Sequence, residues 1–115
     1  MIVLVSGPYR SGTNDDPVLM AANLERLEDA AMALFEAGHL PMIGEWVAFP
    51  LMRRAGSKMV GDNLYQKYAY PVTHRLIEHC DAVLRLPGAS TGADEDIRRA
   101  KMGHVPFGGV KRGDS

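Results

Sequence analysis

The run Ser90-Thr91-Gly92-Ala93-Asp94-Glu95-Asp96 brings two hydroxyls, a glycine and three carboxylates together. Where such a run opens a helix, its free backbone N–H groups and hydroxyls stabilise an anion. An ionised carboxylate beside that anion can act as a nucleophile. The same residues also describe an ordinary capped helix, with Ser90 as N-cap and the acids favouring the positive end of the dipole. Helical geometry separates the three acids. At about 100° per residue, Asp96 falls on the face of Gly92, Ala93 and Ala100, the small-residue face that can approach a sheet. Asp94 lies off that face and Glu95 is a step away. Asp96 is therefore the first catalytic candidate and Glu95 the second, with Ser90, Thr91 and Gly92 as substrate contacts.

Two other groups carry polar chemistry. Gly7-Pro8-Tyr9-Arg10-Ser11-Gly12-Thr13 has the glycine spacing of a phosphate loop. Thr13, however, stands where that loop needs a lysine to carry charge to the phosphates. A glycine turn that lets a substrate approach the backbone is the better reading, with Gly7, Tyr9 and Arg10 as candidates. Arg10 is either a phosphate or base contact or a surface charge. The third group is Gly44-Glu45-Trp46. Four histidines, His39, His74, His79 and His104, are scattered, and the five-residue step from His74 to His79 does not share a helical face. No metal site and no cofactor are expected. Cys80 reads as core.

These groups need elements to position them, and strand and helix signals alternate. Ile2–Ser6 is a short, continuously apolar run rich in β-branched residues and ended by Gly7-Pro8, hence a buried strand. Asp15, Asp16 and Pro17 supply a helix start. Leu24, Leu27, Ala31 and Leu34 line one face of that helix, and Gly38 ends it. Leu40–Ile43 reads as a second strand. The segment 45–61 is ambiguous, being Met-rich and broken by Pro50, Gly56 and Gly61. A helix is expected over 64–79, with a break at Tyr70-Pro71. The strand Ala82–Leu86, a helix from Gly92 to Met102 and a short strand near Val105–Phe107 follow. Alternation of this kind predicts an α/β domain, a three-layer flavodoxin-like or Rossmann-like sandwich. Its sheet has four or five mainly parallel strands with Ile2–Ser6 in the centre. Parallel sheets bind ligands at the carboxyl ends of their strands. Here those ends are Gly7–Arg10, Gly44–Trp46 and Gly88–Gly92, so the three polar groups should converge on one edge.

Composition bounds the rest. The chain has 115 residues, enough for a single domain over 1–109 with 110–115 as a flexible tail. A net charge of −1 gives no electrostatic case for a nucleic acid polymer or an anionic membrane. Without an apolar span or a leader, and with a single cysteine, the chain is expected to be cytoplasmic. Phe49, Leu51, Met52, Met59 and Val60 offer apolar surface for a lid or a subunit contact, so a homo-oligomer is expected.

The ordered set Val3-Leu4-Val5-Ser6-Gly7-Pro8-Tyr9-Arg10, Ala37-Gly38-His39-Leu40-Pro41, Cys80-Asp81-Ala82-Val83, Leu86-Pro87-Gly88 and Ser90-Thr91-Gly92 with Asp96 and Ala100 spans nearly the whole chain. In this it resembles the nucleoside 2-deoxyribosyltransferase-like superfamily, which includes 2′-deoxynucleoside 5′-monophosphate N-glycosidases. The resemblance implies a flavodoxin-like sheet and cleavage of an N-glycosidic bond in a small-molecule nucleotide or nucleoside. It places the nucleophile four residues after the motif glycine, here Asp96, and the 5′-phosphate contact two before it, here Ser90. It gives Gly7–Arg10 to sugar and base, and the region of Glu45 and Trp46 to the base pocket. The chain departs from the family at two points. Aspartate stands where the family has the longer glutamate. Thr73, His74 and Arg75, with Glu78 a turn later, occupy the region that usually supplies a second acid. The competing expectation is a non-catalytic nucleotide-binding module.

Overall fold

The computed structural model describes residues 1–56 and 63–109, and the tail expected over 110–115 lies outside the described residues. The element order is β1 (Ile2–Ser6), α1 (Pro17–Glu36), β2 (Leu40–Ile43), α2 (Gly44–Arg54), α3 (Asn63–Ile77), β3 (Ala82–Arg85), α4 (Thr91–Met102) and β4 (Phe107–Gly109). The sheet has four strands in the order β2-β1-β3-β4, and every pairing is parallel. The expected α/β architecture is the observed one, and Ile2–Ser6 is an inner strand.

Side chains alternate across the pleat, so β1 feeds two cores. Val5 packs with Leu27 and Ala31 of α1 and Ile43 of β2 on one face. Leu4 packs with Ile77, Cys80, Val83 and Ala100 beneath α3 and α4 on the other. Cys80 is thus a core residue, as expected. Local chemistry sets the helix ends. The Asp16 carboxylate accepts the Val18 N–H at 2.9 Å, and Pro17 takes the first helical turn. Gly38 follows α1 at φ +95°, a conformation that glycine adopts without strain.

The ambiguous segment after β2 starts as helix α2, with Pro50 inside it. Helix α3 is likewise continuous through Pro71, so the break expected at Tyr70-Pro71 does not occur. Tertiary packing overrides the local cost of a proline in each case. The last strand begins two residues later than its apolar signal, at Phe107. Part of the Met-rich segment finds an internal home. Ala48 and Met52 are buried, and the Phe49 ring meets Tyr9 edge-on with centroids 5.2 Å apart. Leu51 stays exposed, while Met59 and Val60 lie outside the described residues.

Close approach of α2 and α3 depends on Gly44. A Cβ there would stand 2.4 Å from Cγ2 of Thr73. Gly44→Ala is therefore expected to cost about 1–3 kcal/mol through overpacking, and adding Thr73→Ser, which removes that methyl, should recover most of it. Urea denaturation of the single and double variants measures the coupling. A Gly44→Ala chain as stable as the parent would show that this contact is not tight.

Candidate functional site

All three strand-end groups meet. A cavity of about 500 Å³ opens at the carboxyl edge of the sheet, in the size range of small-molecule sites. The β1 loop brings Gly7, Tyr9 and Arg10 to it, the start of α2 brings Gly44 and Glu45, and the start of α4 brings Ser90, Thr91, Gly92 and Asp96. The loops can approach because Gly88, at φ +118°, faces Pro8, whose Cγ would lie 2.8 Å from any added Cβ.

Asp96 is 7% exposed, on the face of α4 that also buries Ala93 and Ala100. These small neighbours let α4 sit close to the sheet, which brings the shorter aspartate to the cavity wall. Its Oδ2 accepts a hydrogen bond from the Ser6 hydroxyl at 2.7 Å. The Thr73 hydroxyl, which also lines the cavity, donates to the Tyr70 carbonyl at 3.0 Å within its own helix. Burial pushes Asp96 up to about 6, against the pull of Ser6 and Thr73; Glu95 raises it slightly and Arg85 lowers it. The balance is physical. A hydrogen bond to a charged group contributes about 1.5–3 kcal/mol, whereas burying a carboxylate costs several.

The α4 N-terminus presents hydrogen-bond donors to the cavity. The Ser90 side chain accepts the Ala93 N–H at 3.1 Å, and its own O–H remains available as a donor. Helix geometry leaves the Thr91 and Gly92 amides outside the intrahelical ladder, and both residues line the cavity.

Glu95 turns away from this wall. It is paired with Arg98 and, at 3.5 Å, with Arg99, which together hold its carboxyl well below the usual range. Trp46 is also outside the cavity lining. Its ring is 40% exposed, and Nε1 donates to Glu28 Oε2 at 2.9 Å. Arg10 reaches the cavity mouth with its Nε 2.6 Å from Asp15 Oδ1. Thr13 is buried, and its hydroxyl donates to the Arg10 carbonyl at 2.5 Å, so it shapes the β1 loop.

Ser6, Tyr70 and Thr73 contribute to the site and were not singled out from the sequence. Ser6 had a usable signal, a hydroxyl at the carboxyl end of a buried strand. Tyr70 and Thr73 had none, because only the packing of α3 against α2 and α4 brings them in. Among the described residues, no group of three or more His, Cys, Asp or Glu is placed to hold a metal ion. No helix among them is long and apolar enough to cross a membrane.

Fold and site together define a three-layer parallel α/β protein of the Rossmann-like or flavodoxin-like kind, with a polar cavity at the strand ends. The chain matches no protein-family model, no curated protein and no solved structure.

Proposed function

We propose that the protein cleaves the N-glycosidic bond of a nucleoside 5′-monophosphate, or of the corresponding nucleoside, through Asp96. The observation that carries this reading is the buried Asp96 carboxylate, fixed by Ser6 beside the N-terminus of α4. The resemblance to nucleoside 2-deoxyribosyltransferase-like proteins points the same way. The 5′-phosphate sits against Ser90, Thr91 and Gly92, favoured by the helix dipole. That docking aims the anomeric carbon at Asp96. Its carboxylate, mostly ionised at pH 7, attacks that carbon and stabilises the oxocarbenium-like charge on the sugar. The base leaves, and water or a second acceptor resolves the glycosyl-enzyme. We place this activity in the cytoplasm, in a homo-oligomer whose contacts include the exposed part of the α2 region.

The test is release of free base from a panel of purine and pyrimidine 5′-monophosphates, in ribo and 2′-deoxy forms, followed by chromatography. At least one should be cleaved. Release from none would leave a nucleotide-binding module without chemistry as the better reading.

Phosphate recognition has its own measurement. Calorimetry should show a nucleoside monophosphate binding more tightly than its nucleoside. Ser90→Ala should weaken the monophosphate about tenfold or more, since a hydrogen bond to a charged group contributes about 1.5–3 kcal/mol, and leave the nucleoside unchanged. The lost N-cap should cost a further ~1 kcal/mol of stability. Equal affinities for both ligands in the parent protein would remove the phosphate role.

A further inference from the structure

With Asp96 as the nucleophile, the departing base still needs a proton. Attack at the anomeric carbon breaks the bond to nitrogen, and the electron pair stays on the base. An ordinary purine or pyrimidine anion leaves poorly, so an acid is needed within the cavity.

The lining offers few choices. Among the described residues its carboxyl groups are Asp15, Glu45 and Asp96. Asp15 is taken by Arg10, which holds its carboxyl low. Asp96 is the nucleophile. Tyr9 is a phenol pushed further up by burial and by Glu45, too weak an acid for the task. From α3 the cavity receives Tyr70 and Thr73, neither of them a carboxylic acid.

Glu45 remains, and its position suits the task. It follows Gly44 at the end of β2, and β1 lies between β2 and β3. Asp96 comes in from α4 to the end of β1, where the Ser6 hydroxyl holds it at 2.7 Å, so the two carboxyl groups line the one cavity from two different helices, α2 and α4. Among the described residues no cation pairs with Glu45, in contrast to Asp15, Asp94 and Glu95.

We infer that Glu45 is the general acid of this site: it protonates the departing base and, as the resulting carboxylate, activates the water that releases the sugar. The inference rests on the reading of the cavity as an N-glycosidase site. In the first half, Asp96 forms a bond to the anomeric carbon, the bond to the base nitrogen breaks, and the Glu45 proton passes to the base. In the second half, Glu45 takes a proton from water, the hydroxide oxygen bonds to the anomeric carbon, and Asp96 leaves as a carboxylate. Both groups return to their starting states, and the net change is hydrolysis.

The electrostatics agree. Burial pushes Glu45 up to about 7, against a bond from its own backbone amide, and the charge of Asp96 adds to the rise. The groups around the pair are Tyr9, Arg10 and Asp15 from the β1 side, Ser6 and Thr73 on Asp96, and Glu95 and Arg85 near α4. Activity should thus rise as Asp96 ionises and fall as Glu45 loses its proton, in a narrow bell.

The experiment compares the parent protein and Glu45→Gln on a purine nucleotide that the parent cleaves and on its N7-methylated counterpart. The methylated base is already cationic and leaves without a proton. Glu45→Gln should lose at least about a hundredfold on the ordinary substrate and less than about tenfold on the methylated one, and its alkaline limb should disappear. Equal losses on both substrates, or no loss on either, would overturn the role of Glu45 while leaving Asp96 chemistry intact. Failure of the parent to release base from either form would instead overturn the glycosidase reading, and this inference with it.

Discussion

Asp96→Asn is expected to abolish base release, with a loss of about a thousandfold or more in kcat, while nucleotide affinity changes by less than about threefold. The amide keeps the shape of the carboxylate and can still accept the Ser6 hydroxyl that Asp96 accepts at 2.7 Å. What disappears is the charge that forms the bond to the anomeric carbon. The ground-state complex depends on the α4 N-terminus and the β1 loop, so binding should survive. Glu95→Gln is the internal control. Its carboxyl is bound to Arg98 and Arg99 at the surface, so turnover should be close to that of the parent. Steady-state assays with calorimetry on the same variants separate the two effects. Normal turnover by Asp96→Asn together with a dead Glu95→Gln would move the nucleophile by one residue.

The second large effect concerns stability. Asp96 has a folded value of about 6, above the ordinary 3.8 of an aspartate. A group raised in this way contributes fully to stability below its unfolded value and loses that contribution as pH rises through the folded one. The protein should therefore lose stability between about pH 4 and 7 on account of Asp96. Asp96→Asn has no such loss. Relative to the parent it should gain on the order of 1–3 kcal/mol at pH 8 over its difference at pH 4. Glu45→Gln should show the same sign, with its window extending past 7 because Glu45 is held at about 7. The two carboxyls interact, so the gains should not add in the double variant. Such a site stores instability for function. Denaturant midpoints at the two pH values test this, and a pH-independent difference would mean that neither carboxyl is strained in the folded state.

The elements that were legible in the sequence are those whose signal is local. Ile2–Ser6, the Asp16-Pro17 start and the terminal Gly38 each depend on a few neighbouring residues, and each is observed. The burial of Asp96 followed from helical phase alone, since Gly92, Ala93 and Ala100 mark the face that meets the sheet. Convergence of the three strand ends followed from the parallel alternation of elements. Residues 44–54 were not legible, because Pro50 masks a helix that packing against α3 sustains. The placement of Trp46 depends on Glu28, a residue 18 positions away on another helix, and no periodicity reveals such a pair. Glu45 was visible as a strand-end polar residue. That no cation among the described residues pairs with it became visible only once the cavity was assembled.

Mass spectrometry of an acid-quenched reaction addresses the Asp96 nucleophile most directly. With a cleaved nucleoside monophosphate, the protein should carry a transient adduct with the mass of the sugar phosphate, confined to the peptide containing Asp96 and matched by free base in the first turnover. Asp96→Asn should show neither adduct nor base. Base release without any adduct on that peptide, or an adduct that persists in Asp96→Asn, would contradict the assignment.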